Sequence, residues 1–336
     1  MVSVVLAALA LWIFGGAINE RGLSPGPGEI VRYRLDGPPQ PIAVGEGAAW
    51  VNVGAGDGTV HGLVRIDAKT GGDQPIDTPG GDWPAVGGGS AWLLCNAPAC
   101  HGGSVLQIDP VTGHLNRMVA VGGRASQIVG TSAGVWITTE SGVTFVDANG
   151  MAVRTFLGQF NLVGTDGETV WVSTGNAAVA LDHLDGHEIA RVPFADVCTM
   201  EVAGGMVWIA SCDGGMHEGN DGDELLGIDA ATGEVLFRET IEGYGQMRYA
   251  EGVLWLAQND PNDGRWIRLV RFDARTGAQL GDPLEIERDS SGGAAHIGYV
   301  GPHVFFAVGE QSLWLTDRSA SEVIRIGLPL SMRASI

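Results

Sequence analysis

Short apolar runs, each built around a tryptophan, recur along the chain at intervals of 35 to 59 residues. In the most complete copy, a Gly-rich turn leads into Val207-Trp208-Ile209-Ala210. Repetition at such a period is typical of one domain made of similar units rather than of several unrelated domains. The seven repeated tryptophans are Trp50, Trp92, Trp136, Trp171, Trp208, Trp255 and Trp314.

A second phrase follows each of the first six tryptophans, running from an aspartate to a glycine, as in Ile228-Asp229-Ala230-Ala231-Thr232-Gly233. Aspartate accepts hydrogen bonds from the backbone two residues on, and glycine supplies a positive φ, so the phrase predicts a turn between third and fourth strands. Its aspartates are Asp67, Asp109, Asp147, Asp182, Asp229 and Asp273, and in the seventh copy it is reduced to Ile326-Gly327.

The tryptophan runs are apolar on both alternating faces, so their sheets must be covered on both sides. Blades stacked radially provide that cover, and the period fits four strands plus loops. The sequence therefore predicts an all-β, seven-bladed β-propeller with the tryptophans in the blade cores. The last unit, from Val304 to Leu330, has only three strands, while Ile30 to Leu35 is an unassigned strand. We expect that strand to complete blade seven and close the ring.

The propeller is expected over residues 29–330, followed by a tail at 331–336. Residues 2–18 form an apolar run of a length that can just cross a bilayer as a helix. Small residues at 15–17 suit signal cleavage, but no basic residue precedes the run, which favours a transmembrane anchor over an export signal. Residues 19–28, rich in Gly and Pro, predict a short stalk. The stalk should enter the propeller on the face of the third-to-fourth-strand turns and hold that face toward the membrane.

The formal net charge is -20 and Lys69 is the only lysine. Such a field repels a phosphate backbone, so nucleic acid is excluded as a partner. The four cysteines fall into two pairs that short loops or neighbouring strands bring within disulfide reach: Cys95 with Cys100, and Cys198 with Cys212. Disulfides favour an extracytoplasmic location.

The stretches that break the repeat are where function is expected. They are the long loops Gly54 to Gly62, Cys95 to Ser104, Cys212 to Glu224 and Asn259 to Trp266, and the insertion Glu287 to Pro302. The acidic stretch Asp213 to Glu224 has enough oxygen ligands for Ca²⁺ but lacks the EF-hand spacing. A solvated acidic loop is favoured there, and Ca²⁺ is the alternative.

The residues nine positions before each tryptophan should ring one mouth of the central channel. Polar and aromatic residues in or beside that ring make it the candidate site for a small polar ligand. Those candidates are Trp83, Arg124, Gln127, Asn161, Gln246, Arg248 and His303. No catalytic or metal-binding motif is present, so no catalytic or metal residue is assigned.

The repeated Gly-x-Gly-Ala/Ser-x-Trp-Val and Ile-Asp-x-x-Thr-Gly phrases resemble those of the bacterial YVTN-type and streptogramin-lyase-like seven-bladed β-propellers. That resemblance covers about residues 29 to 330. It implies the fold and allows binding, scaffold and lyase activities. The lyases place histidine, glutamate and a divalent metal in the central cavity, and here only His303 is expected near the mouth.

Three functions from different classes follow from these features. The first is a membrane-anchored, extracytoplasmic protein-binding or scaffold module, including an accessory subunit of a membrane complex. The second is a metal-dependent lyase or hydrolase with its site at the channel mouth. The third is a sensor of a small polar ligand. An anchor, a short stalk and the lack of a catalytic motif favour the first, in which the protein is not an enzyme and needs no cofactor.

Overall fold

The computed structural model describes residues 25–26, 28–54, 60–194, 196–211, 223–241, 245–259, 266–287 and 304–328. The predicted apolar segment 2–18, most of the stalk 19–28 and the tail 331–336 lie outside these residues. Within the described part of the chain, no helix has the length and apolar character needed to span a bilayer.

Seven four-stranded antiparallel sheets make up the described structure, which confirms the predicted all-β propeller. The strands of blades 1 to 4 are β2 (Pro39–Gly45), β3 (Ala48–Gly54), β4 (Val60–Asp67) and β5 (Asp73–Ile76); β6 (Pro84–Gly87), β7 (Ser90–Cys95), β8 (Ser104–Ile108) and β9 (Leu115–Ala120); β10 (Ala125–Thr131), β11 (Gly134–Thr139), β12 (Gly142–Asp147) and β13 (Ala152–Leu157); β14 (Val163–Thr165), β15 (Thr169–Ser173), β16 (Ala177–Asp182) and β17 (Glu188–Pro193).

Blades 5 and 6 continue the same order, and blade 7 takes its fourth strand from the start of the chain. Their strands are β18 (Val197–Ala203), β19 (Met206–Ser211), β20 (Asp223–Asp229) and β21 (Val235–Ile241); β22 (Gln246–Ala250), β23 (Val253–Asn259), β24 (Trp266–Asp273) and β25 (Leu284–Glu287); β26 (Phe306–Gly309), β27 (Ser312–Asp317), β28 (Glu322–Gly327) and β1 (Ile30–Arg34). Successive blades touch through their first strands, and β26 of blade 7 contacts β2 of blade 1, so the ring is closed.

The closing strand β1 pairs with β28 from Ile30 opposite Ile326 to Arg34 opposite Glu322. Tyr33 stacks on the indole of Trp314, with ring centroids 5.7 Å apart. The predicted closure is confirmed. Since β1 begins beside the end of β28, the chain enters the propeller on the face of the third-to-fourth-strand turns.

The seven repeated tryptophans are buried, each at most 4% exposed. They pack across blade boundaries as well as within blades: Trp171 of blade 4, for example, shares a cluster with Met200 and Val202 of blade 5. Side chains of this size dominate the energetics of a core. The prediction that the tryptophans are core residues is confirmed.

A repeated hydrogen bond that the sequence did not reveal joins neighbouring blades. In six of the seven blades, a side chain donates to the backbone carbonyl that follows the third strand of the next blade, one residue after the aspartate of its turn. These bonds run from Arg65 to Pro110 (2.9 Å), Gln107 to Ala148 (2.8 Å), Arg154 to His183 (3.1 Å), Trp171 to Ala230 (3.2 Å), Trp208 to Ala274 (2.9 Å) and Arg325 to Ala68 (2.6 Å).

In five of these six blades, the residue opposite the tryptophan corresponds to which side chain donates this bond; in blade 3 the donor is Arg154 of the fourth strand. Trp171 and Trp208 face Ala180 and Gly227 on the third strand, and each indole N–H reaches the next blade itself. In blades 1, 2 and 7 the facing residue is a long polar one, and it reaches across instead. The indole N–H then bonds a carbonyl of its own blade, at Gly45, Gly87 or Gly309. Blade 6 also has a long polar residue there, Arg271, but its guanidinium bonds the carbonyl of Asp282 in the same blade.

The aspartate turns have the predicted chemistry. In blade 5, one Asp229 oxygen accepts from the backbone N–H of Ala231 (3.1 Å) and Thr232 (2.9 Å) and from the Thr232 hydroxyl (2.8 Å). Gly233 then has a φ of 74°. The same three bonds recur at Asp67, Asp109 and Asp273.

These turns should make stability depend on pH in acid. The Thr232 hydroxyl and amide hold the pKa of Asp229 below its ordinary 3.8, and Asp109 and Asp273 are lowered by the same kind of bonds. A carboxyl with a lowered folded-state pKa stabilises the fold above its ordinary pKa, and that stabilisation is lost as the pH falls through the lowered value. Replacing all three aspartates by asparagine should therefore lower the urea midpoint at neutral pH.

The difference in urea midpoint between the wild type and this triple variant should become smaller below pH 3.8. It should vanish in stronger acid, where the wild-type carboxyls are also neutral. Urea unfolding from pH ~2 to ~7 measures it. Asp36→Asn, which removes an exposed carboxylate outside these turns, is the control for the loss of negative charge alone. A difference that is constant across the pH range would contradict the assignment.

Candidate ligand site in the central channel

The first strands of all seven blades surround a cavity of about 410 Å³ on the propeller axis. That volume is near the lower end of the range for small-molecule sites. Backbone and side chains of β2, β6, β10, β14, β18, β22 and β26 all contribute to its wall. The channel is therefore large enough for a small organic molecule.

Six of the seven residues predicted to ring the mouth line this cavity: Pro41, Trp83, Gln127, Leu162, Thr199 and Gln246. The seventh, Phe305, meets Trp83 edge to face, with ring centroids 5.5 Å apart. Counting nine residues back from each tryptophan thus selected residues of the cavity wall.

Of the seven predicted ligand-binding residues, the structure brings five together in the channel wall: Trp83, Gln127, Asn161, Gln246 and Arg248. His303 lies outside the described residues. Arg124 is exposed and does not line the cavity, because it precedes β10 and an irregularity between Ala125 and Gln127 separates it from the ring. Its guanidinium acts on Asp82 instead, where it partly offsets the rise in pKa that burial causes.

Two glutamines occupy equivalent places in blades 3 and 6 and bridge to the next blade. The side-chain oxygen of Gln127 accepts from the backbone N–H of Val163 at 2.6 Å, and that of Gln246 accepts from Phe306 at 2.9 Å. Each bond uses only the oxygen of the amide. The NH₂ groups of both side chains are available to donate a hydrogen bond to a ligand in the channel.

A second layer of the channel wall lies two residues deeper, seven positions before each tryptophan. Five of its members are small or apolar, which leaves room on the axis. The other two, on the neighbouring blades 5 and 6, are charged. The layer consists of Ala43, Ala85, Val129, Gly164, Glu201, Arg248 and Ala307.

The two charged members form a loose ion pair across the blade boundary. A guanidinium nitrogen of Arg248 lies 3.4 Å from one Glu201 oxygen and donates at 2.7 Å to the carbonyl of Met247. The other Glu201 oxygen accepts from the backbone N–H of Tyr249 at 3.1 Å. Arg248 also lies over the ring of Phe306, at 6.0 Å from its centroid.

Glu201 keeps only 19% of its side-chain surface exposed, within the channel wall. Burial there raises the pKa of Glu201 above its ordinary value, and Arg248 and the Tyr249 amide oppose this with weaker effects. Sequence reasoning selected Arg248 and missed Glu201. Glu201 can be recognised in the sequence because blade 5 has a carboxylate at a repeat position where five other blades have alanine, glycine or valine.

The predicted bridge between Cys95 and Cys100 is present. Cys198 is also disulfide-bonded, while its predicted partner, Cys212, lies outside the described residues. So does most of the acidic stretch proposed for Ca²⁺. Its last residue, Glu224, pairs with Arg238 at 2.6 Å.

A different group of possible metal ligands lies on the outer turn of blade 4. Oxygens of Asp182 and Asp185 and a nitrogen of His187 lie within 4.8 Å of one another. Asp182 accepts from the backbone N–H of Leu184, and Asp185 bonds His187 at 2.7 Å. The chemistry of the turn accounts for this group.

Comparison with protein-family models and with curated proteins finds no match for the chain. Solved structures do match. BamB from Moraxella catarrhalis is 15% identical with a TM-score of 0.54, over 89% of this chain and 98% of that one. Kuenenia stuttgartiensis hydrazine synthase is 14% identical with a TM-score of 0.61, over 89% and 98%. The WD40 domain of Neurospora crassa Pan2 is 12% identical with a TM-score of 0.62, over 93% and 97%. At this identity, the likeness shows a shared propeller fold.

Proposed function

We propose that the protein is a protein-binding propeller held at the extracytoplasmic side of a membrane through residues 2–18, where it serves as an accessory subunit of a membrane complex. The supporting observation is the arrangement of its two faces. The chain enters on the face of the third-to-fourth-strand turns, which are four to six residues long in blades 1 to 5 and begin with the same aspartate phrase. An anchor before residue 25 therefore leaves the opposite face available to a partner.

The opposite face carries the connections between second and third strands. In blades 3, 4 and 7 these connections are short, at residues 140–141, 174–176 and 318–321. In the remaining blades they are five to eleven residues long and do not repeat in sequence: residues 55–59, 96–103, 212–222 and 260–265. Variable loops on a rigid ring are the usual location of binding function in such folds.

Two further features support this proposal. The Cys95–Cys100 disulfide braces one of the long loops, and disulfides persist in extracytoplasmic compartments. The net charge of -20 favours a partner with a basic surface. The alternative of a metal-dependent lyase or hydrolase at the channel mouth depends on His303, which lies outside the described residues.

Copurification from native membranes with two matched variants tests the proposal. Ala99 is exposed in the disulfide loop, and Ala231 is exposed in a turn on the opposite face. Ala99→Arg should lower the amount of a specific copurifying protein by about tenfold or more, because a bulky charge at an interface centre disrupts packing. Ala231→Arg should leave that amount unchanged.

Mass spectrometry of the same preparation establishes whether residues 2–18 are retained. The proposal fails if the solubilised protein is a monomer without a partner. It also fails if Ala231→Arg and Ala99→Arg reduce copurification equally.

A further inference from the structure

We propose that the central channel binds a small carboxylate through the guanidinium of Arg248, for which Glu201 is the internal competing carboxylate. This site is independent of the protein-binding loops. It uses the cavity of about 410 Å³ enclosed by the first strands.

The charges in the channel favour an anionic ligand at one point. Among the described residues that line it, Glu201 and Arg248 alone carry charge. Strands β2, β6, β10, β14 and β26, which face or flank the pair, contribute no titratable group to the wall. The ligand class is therefore decided by this pair and by the neutral groups around it.

Arg248 is incompletely used by the protein. Its bonds to Glu201 and Met247 both come from one terminal nitrogen, and the contact with Glu201 is long, at 3.4 Å. A guanidinium pairs best with a carboxylate through two parallel bonds. With 32% of its side chain exposed, Arg248 has donors left for a second carboxylate in the channel.

Neutral groups that line the same cavity add donors. Gln127 and Gln246 have already committed their side-chain oxygens to the next blade, so each offers an NH₂ group. Half-buried Trp83 at the entrance offers an aromatic surface. A carboxylate attached to a small apolar or aromatic group can pair with Arg248 and also pack against Trp83.

Glu201 gives the site a pH dependence. In the empty channel its carboxylate partly neutralises Arg248, and burial raises its pKa. When a ligand carboxylate takes the guanidinium, an ionised Glu201 would lie beside a second negative charge, so binding is coupled to uptake of a proton by Glu201. Affinity therefore increases as the pH falls through the Glu201 pKa.

Calorimetric titration of the purified full-length protein with benzoate, and with benzamide as its uncharged counterpart, tests this proposal. Benzoate should bind and benzamide should not. Arg248→Met should weaken benzoate binding by about ten- to a hundredfold, the range for a lost hydrogen bond to a charged group. Arg191→Met removes an exposed arginine of blade 4 and should have no effect.

The glutamate has its own readout. Glu201→Gln keeps an oxygen that can accept from Tyr249 but removes the competing charge. It should bind benzoate at least as tightly as the wild type and lose the increase in affinity that the wild type shows as the pH falls through the Glu201 pKa. A purely structural ion pair would not produce this combination.

Four outcomes would overturn the proposal: no benzoate binding by the wild type, equal binding of benzamide, full binding by Arg248→Met, or an unchanged pH dependence in Glu201→Gln. If Arg248→Met fails to fold because Glu201 has lost its cationic partner, the double variant Glu201→Gln/Arg248→Met takes its place in the test, since it removes both charges from the channel wall. Benzoate binding by that double variant contradicts the proposal equally.

Discussion

Deleting residues 1–34 is expected to remove most or all of the stability of the propeller, whereas deleting residues 1–24 should change it little. The longer deletion removes β1, and with it the five paired residues beside β28 and the Tyr33 ring stacked on Trp314. It also removes the arginines that pair with Glu322, which is nearly buried. Ladder bonds at about 1 kcal/mol each and the lost aromatic packing add up to at least ~5 kcal/mol. A typical domain has only ~5–15 kcal/mol in total.

Urea unfolding of the two truncated proteins measures this effect. The shorter deletion retains all the described residues and therefore serves as the matched control. A synthetic peptide of residues 25–34, added to the longer deletion, should restore part of the lost stability because it can pair with the exposed edge of β28. Equal urea midpoints for the two deletions would show that β1 is not what closes the ring.

Arg325→Met is expected to lower the free energy of unfolding by about 3 kcal/mol or more. Arg325 is only 1% exposed and bonds three oxygens: the carbonyls of Ala68 and Glu310 and the hydroxyl of Ser312. Its guanidinium also lies 4.5 Å from the centroid of Trp314. Methionine relieves the burial of a charge, but the backbone carbonyls remain buried and lose their donor, at ~1–3 kcal/mol each.

Arg154→Met is the matched comparison, because Arg154 makes the same kind of bond to the next blade from a half-buried position. It should cost about 1 kcal/mol. Arg325→Lys should not rescue stability, since one ammonium group cannot reach three acceptors in the way a planar guanidinium does. Denaturant midpoints for the three variants test the ranking, which is contradicted if Arg154→Met is the most destabilised.

The fold could be predicted from the sequence because its determinants are local and repeated. The tryptophan runs define the second strands, and the Asp229 phrase and its copies define the turns by bonds within three or four residues. The closing strand could be found by counting, since one strand was left over at the start and one was missing at the end. These features require no knowledge of which side chains meet in space.

The bonds between blades could not be predicted in the same way. Whether Trp208 or a neighbouring side chain reaches the next blade depends on the residue across the strand pair, here Gly227, and on the position of a carbonyl in the next sheet. The bonds of Arg325 to Ala68 and Glu310 likewise depend on contacts in space and not on the local sequence.

Of the two charged residues in the channel wall, only Arg248 was predicted from the sequence. Counting back from each tryptophan located the residues of the cavity wall and Arg248. The role of Glu201 could not be found in this way, because it depends on contact with Arg248 of blade 6, 47 residues further along the chain. The contact between Glu201 and Arg248 brings two charges that are distant in sequence into one partly buried pair in the channel wall.

The closing strand has a consequence for biosynthesis. Blades 1 to 6 are contiguous in sequence and can assemble in order as the chain emerges during synthesis. Arg32 can pair with Glu322 only after a further 290 residues have been made. At ~5–20 residues per second, the wait is roughly 15–60 s. During this interval β1 is an unpaired edge, and charged residues on such an edge discourage pairing with other chains. Arg32 and Arg34 place two such charges on this edge before they pair with Glu322 in the finished ring.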